Sequence, residues 1–147
     1  MEGSGGELKP ARTLLPRRIN LGLSHNADLP PDIFRDVQQI IFETRDADVF
    51  HHEKFERLVT ELPKECTFII CGATVAMGVK QAVLGLRSRQ FNVVVAEDAL
   101  LGLDHPRTEM AWLQIMAKEA WPLTTERIIR DFSPVRRHWS SVGSLVG

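Results

Sequence analysis

Residues 67–98 read TFIICGATVAMGVKQAVLGLRSRQFNVVVAED, and this stretch decides the fold. The run Thr67 to Cys71 is continuously apolar, as in a strand buried on both faces of a parallel sheet. Gly72 closes it, and a short loop leads to an amphipathic segment from Val75 to Arg89. There Val75, Val79, Ala82, Val83 and Leu86 recur at helical spacing. Val93 to Ala96 is a second apolar strand. Strand, helix and parallel strand make a βαβ unit, whose crossover is right-handed.

The same alternation extends in both directions. Upstream, Ile19 to Leu23 is a short strand weakened by Gly22, and Pro30-Pro31 mark a turn. Ile33 to Val37 forms one helical turn, and Gln39 to Glu43 is a strand built on Ile40, Ile41 and Phe42. Thr44 to Phe50 is an Asp-containing loop. His52 to Leu62 is a helix with Phe55, Leu58, Val59 and Leu62 on one side, stopped by Pro63. Downstream, Leu100 to Pro106 is a loop. Arg107 to Ala120 is a helix presenting Met110, Ala111, Leu113, Met116 and Ala117. Pro122 to Thr125 is a short strand, and Thr125 caps a helix through Ile129. Such alternation predicts an α/β fold, a three-layer α/β/α sandwich around a mostly parallel sheet. Ligands in such folds bind beyond the carboxyl ends of the strands. That rule puts Glu43–Phe50, Gly72–Gly78 and Asp98–Leu103 on one functional rim.

The domain reading is a flexible segment over residues 1–18, an α/β domain over 19–130 and an irregular arm over 131–147. Gly3, Ser4, Gly5 and Gly6 support the first of these. A chain of 147 residues holds one domain with a real core. Net charge is −1, which supplies no field for steering to nucleic acid or an anionic membrane. No apolar run approaches the roughly 20 residues of a membrane helix, and the N-terminus lacks the apolar stretch of a secretion signal. With Cys66 and Cys71 as its two cysteines, the chain is expected to be cytoplasmic and free of disulfides.

The run CGATVAMGVKQAVLGLRSRQFNVVVAEDAL, with IIFETRDADVFHHEKFERLVTEL before it, resembles the signature of the isochorismatase-like cysteine hydrolases, which include nicotinamidases and N-carbamoyl amidohydrolases. The resemblance covers roughly residues 38–126, and Gly72, Val79, Leu86, Arg87 and Asp98 fall in the family pattern. It implies a catalytic triad of Asp, Lys and Cys, an oxyanion hole and a cis peptide. Carried over by position, the Cys place is Gly78 and the Lys place is Thr44. The oxyanion amides are those of Thr74 and Gly78, the cis bond is Ala73–Thr74, and the pocket lies at Phe50, Ala73, Met77 and Asp98. The triad Asp belongs to a first strand ending Asp-x-Gln, and no such strand precedes Gln39, so that strand is expected to be missing. The family favours glycine where Gln90 stands, at a helix C′ position that prefers left-handed backbone.

Glycine has no side chain with which to attack, and a thiolate also needs a base or cation to form. Cys66 precedes the strand and Cys71 lies inside it, so neither can substitute. The expectation is therefore a pseudoenzyme that keeps binding of a small carboxylate or amide ligand at the helix N-terminus. No metal and no cofactor is expected. Two other readings stand beside it: an active hydrolase of C–N or ester bonds using Asp46, Asp48 or His105, and a non-enzymatic assembly module. Family resemblance and a missing first strand both imply a homo-oligomer. His51-His52 is read as a solvated pair rather than a metal site, Asp46 and Asp48 as solvated loop acids, and Asp104-His105 as a loop leading into a helix. The cluster Arg127, Arg130, Arg136, Arg137 with Trp139 is read as solvated surface, and Lys80 as a surface helix residue.

Overall fold

The structure, a computed structural model, describes residues 11–102 and 106–132. The chain divides into two compact units between Leu62 and Pro63. Every strand pairing is parallel, and the strands fall into two sheets, of two and three strands.

In the N-terminal unit, strands β1 (Arg18–Leu21) and β2 (Gln39–Phe42) pair in parallel, with Ile19 opposite Ile40 and Leu21 opposite Phe42. The connection carries α1 (Ile33–Asp36), and β2 leads through a 3₁₀ turn (Val49–His51) into α2 (Glu53–Glu61). Leu21, Ile33 and Leu58 form the core, with Ile19, Leu29, Val37, Ile40, Phe42 and Leu62 packed around it. Residues 11–17, read from sequence as flexible, include a 3₁₀ turn at Ala11–Thr13. Gln39 holds this stretch: its Oε1 accepts from the Leu15 N–H at 2.9 Å, and its Nε2 donates to the Thr13 carbonyl at 2.9 Å.

In the C-terminal unit the sheet order is β3 (Thr67–Ala73), β4 (Asn92–Leu101), β5 (Trp121–Leu123). Val94 and Val95 are paired on both sides, with Ile69 and Ile70 of β3 and with Trp121 and Pro122 of β5. Pro122 is tolerated because β5 is an edge strand. Valines 93, 94 and 95 have essentially no solvent exposure. One face of β4, Val94 and Ala96, packs with Ile128 of α5 (Thr125–Phe132), joined by Trp121, Leu123 and Phe132. A π-helical turn (Val75–Val79) runs into α3 (Lys80–Ser88), and both contact α4 (Pro106–Ala117).

Four sequence expectations change here. β3 is not buried on both faces: Ile69 is 42% exposed and Cys71 is exposed, because β3 is an edge strand with one face uncovered. β4 continues through Leu101 instead of ending at Ala96, since Gly72 and Ala73 pair with Leu100 and Leu101. The buried face of α4 is Thr108, Ala111 and Ile115, whereas Met110 and Leu113 are exposed. Thr108 tolerates burial because its hydroxyl donates to the Gly102 carbonyl. The cap of α5 is Thr124, whose Oγ1 accepts from the Arg127 N–H at 3.3 Å, and the helix runs on to Phe132.

The end of α3 accounts for two signature residues. Arg89 is the C-cap and Gln90, at φ 67°, occupies the left-handed C′ position. Phe91 N–H donates to the Leu86 carbonyl and Gln90 N–H to the Arg87 carbonyl, the paired bonds of a Schellman motif. Phe91 is fully buried, edge-on to Phe68 with 5.2 Å between ring centroids. Arg87 reaches from this terminus to two carbonyls, Phe91 through Nη1 and Lys118 through Nε, each at 2.8 Å. Lys118 lies just past the end of α4, so one guanidinium ties two helix ends together.

Candidate functional site

In the C-terminal unit, the expected oxyanion segment follows β3. Gly72 has φ 117°, a conformation that side chains rarely adopt. The Ala73–Thr74 peptide is cis, where the family resemblance puts it. Thr74 is extended (φ −104°, ψ 148°), and its carbonyl accepts from the amides of Met77 at 3.1 Å and Val79 at 3.2 Å. The five-residue step from Val79 to Thr74 is the π-helical bond. Gly78 lies between those two donors, half-buried. Ala73 and Thr74 are exposed, and Met77 is 58% exposed. Val75 and Val79 are buried and anchor the turn from beneath. Gly102 closes on this segment: a Cβ there would sit 3.5 Å from the Thr74 Cβ.

Asp98, expected at the pocket, is turned to another task. Its carboxylate accepts from the Thr125 N–H at 2.7 Å and from the Thr125 hydroxyl at 2.8 Å. The hydroxyl bond first, then the amide bond, holds its pKa below the ordinary aspartate value. Asp98 thus fixes the start of α5 to β4.

In the N-terminal unit, Thr44 lies beside a pocket of about 170 Å³ at the carboxyl end of β2. Thr44 shares its wall with Glu43, Asp46, Asp48, His51 and His52. The loop is built from Asx-type bonds. Asp46 Oδ1 accepts from the Asp48 N–H at 2.7 Å, and Asp48 Oδ1 accepts from the Phe50 N–H at 3.0 Å. His51 Nδ1 meets Asp46 Oδ2 at 2.9 Å, and its Nε2 is 3.7 Å from Asp48 Oδ2. The Asp46 contact raises the His51 pKa, and the same contact, with the Asp48 amide, lowers that of Asp46. Phe50, expected in the pocket, stacks edge-on with Phe55 at 5.1 Å.

The two histidines diverge as adjacent residues should, but they are not a solvated pair. His51 is exposed; His52 is only 7% exposed, edge-on to Phe42 with 5.1 Å between ring centroids, with Nε2 3.3 Å from the Leu21 carbonyl oxygen. Lys54 is buried too, donating to the Asp28 carbonyl at 2.7 Å and to Asn26 Oδ1. Neither burial was visible in the sequence, because both depend on the loop after β1. The Asp46–His51 contact carried one signal, the Asp46-Ala47-Asp48 turn pattern.

Among the described residues, no three His, Cys, Asp or Glu side chains are grouped to hold a metal ion, and no helix is long and apolar enough to cross a membrane. Arg127 and Arg130 each lie 3.4 Å from the Asp131 carboxylate. Asp104, His105, Arg136, Arg137 and Trp139 lie outside the described residues.

Comparison with known proteins fits this geometry. Residues 17–127 match the isochorismatase domain. A solved structure, the MAR1 ribonuclease from Caenorhabditis elegans, is similar with a TM-score of 0.51 and 19% sequence identity. The match covers 76% of this chain and 57% of that one, and at that identity it concerns the fold. No curated protein matches significantly.

Proposed function

The chain belongs to the isochorismatase family, and from that premise we propose that it is a member without the family's cysteine chemistry, a pseudoenzyme that binds rather than cleaves. One observation carries the reading: the nucleophile position is Gly78, in the π-helical turn after β3. Thr44 in place of the lysine removes a second catalytic group. Losing members of a catalytic unit costs many orders of magnitude, and losing one is often nearly as costly as losing all. Cys71 is an exposed strand residue and Cys66 precedes the strand.

What persists is backbone. Helix N-termini attract anions through unpaired amides and the helix dipole. Met77 and Val79 amides serve the Thr74 carbonyl, so a small carboxylate would rely on the amides of the remaining first-turn residues, Gly78 included. Exposed Met110 and Leu113 on α4 are compatible with self-association, and the exposed free thiol of Cys71 suits a reducing, cytoplasmic setting.

The test is a substrate screen of amides, esters and RNA, the last because the similar solved structure is a ribonuclease. It is run on the wild-type chain and on Cys66→Ser/Cys71→Ser. The expected outcome is background turnover in both, with acetate-dependent NMR shifts at residues 74–79. Turnover abolished by the double substitution would refute the reading, and absent shifts would remove its binding half. Sedimentation velocity tests self-association.

A further inference from the structure

The pocket of the N-terminal unit is walled mainly by hydrogen-bond acceptors. Glu43, Asp46, Asp48 and Glu53 bring four carboxylates to it, against the guanidinium of Arg45 and the imidazole of His51. A cluster of acids is a common surface feature and identifies no ligand. His52 supplies a second, independent observation. Its ring also lines the pocket and is 7% exposed. The Leu21 carbonyl can only accept, so the 3.3 Å contact assigns the proton to Nε2. Nδ1 is then a bare acceptor, buried, with no partner among the described residues. Buried polar atoms are nearly always paired, and an exception marks a place that something else fills. A lone acceptor calls for a donor, as the four carboxylates do.

We infer that this pocket takes a small organic cation carrying N–H donors, of the primary ammonium or guanidinium class. One N–H meets His52 Nδ1, and the wall carboxylates hold the charge. Asp46 and Asp48 already answer to His51, so Glu43 and Glu53 carry most of that duty. A volume of about 170 Å³ is several times the ~30 Å³ that one water occupies in the liquid. The acceptor geometry stands whether or not position 78 supports chemistry, so this inference and the proposed loss of catalysis can fail separately.

The full chain, labelled with ¹⁵N, is titrated at millimolar concentration with ethylammonium and methylguanidinium, and with sodium chloride and sodium acetate as controls. The readout is the imidazole ¹⁵N resonances in long-range proton–nitrogen correlation spectra. The expected result is a saturable shift of His52 Nδ1, with amide shifts confined to residues 21–25 and 43–53, for the two organic cations and not for the controls. Glu43→Gln/Glu53→Gln, two exposed positions whose replacement leaves the core intact, should weaken binding roughly tenfold or more, the worth of one charge-assisted hydrogen bond. An invariant Nδ1 resonance would assign that atom to an enclosed water and overturn the inference. So would an equal response to sodium chloride or acetate, or unchanged affinity in the double variant.

Discussion

Replacing Arg87 by alanine should destabilise the protein by about 2–4 kcal/mol. The Arg87 side chain is 21% exposed and makes three contacts of unequal value. The partly buried bond from Nη1 to the Phe91 carbonyl, at 2.8 Å, is charge-assisted and worth about 1.5–3 kcal/mol. The Nε bond to the Lys118 carbonyl, also 2.8 Å, lies where water can replace it and contributes about 0.5–1 kcal/mol. Glu119 is 83% exposed and 3.4 Å from Nη2, a screened surface pair worth about 0–0.5 kcal/mol. Three variants separate these contributions. Arg87→Lys presents one ammonium and cannot span both carbonyls, so it should lose about 1–2 kcal/mol. Glu119→Gln should lose less than about 0.5 kcal/mol. Urea unfolding followed by circular dichroism measures all three, with the slope m unchanged because the native surface is unchanged. For a chain near 150 residues the alanine variant should melt about 4–15 °C lower. If Glu119→Gln costs as much as Arg87→Ala, or if the alanine variant lies within about 0.5 kcal/mol of wild type, the helix-end tie is not where the stability resides.

Gln90→Gly should stabilise the protein by about 1 kcal/mol, seen as a raised melting temperature, because glycine occupies φ 67° without a Cβ penalty. Phe91→Ala should cost about 3–5 kcal/mol in urea unfolding, since the ring is fully buried against Phe68. In NMR pH titrations the His51 midpoint should lie above 6.5 in the wild type and fall in Asp46→Asn. The raised histidine favours the folded loop below pH 6.5 and loses that contribution as pH rises through its folded value. Asp46, with its pKa lowered from 3.8, contributes above pH 3.8 and fails as pH falls through its own folded value, so the contact is strongest between the two. An unchanged midpoint in Asp46→Asn would show that the 2.9 Å contact does not form in solution. Gly78→Cys alone should leave amide and ester hydrolysis at background, and appreciable turnover would refute the placement of the catalytic positions.

Much of the backbone plan could be read from the chain, and the reasons are local. Val75, Val79, Val83 and Leu86 repeat at helical spacing and are all buried; Ile33–Asp36, Gln39–Phe42 and Glu53–Glu61 fall within a residue or two of their expected spans. The left-handed backbone of Gln90 also follows from its place after α3. Other features depend on partners distant in sequence. The exposure of Cys71 reflects the edge position of β3, and the extra length of β4 reflects a second pairing with Gly72 and Ala73. The engagement of Asp98 by Thr125 and the burial of His52 under β1 join residues 27 and 31 apart. Helical periodicity cannot announce a π-helical turn, because the side-chain pattern of Val75 to Val79 suits an ordinary helix equally well. At the candidate site, the glycine at position 78 was plain from the residues alone, whereas the acceptor-lined pocket beside Thr44 needed three-dimensional placement.

Between Ile70 and Gly72, β3 advances two residues while its partner advances five, from Val95 to Leu100. The three surplus residues of β4 form an outward fold in the ribbon, from which Asp98 reaches Thr125. That slack works as an expansion joint. Insertions or deletions among residues 97–99 can be taken up there without dislodging the valines that knit the middle of the sheet, so this short span is where the lineage has had freedom to alter its rim while keeping its centre in step.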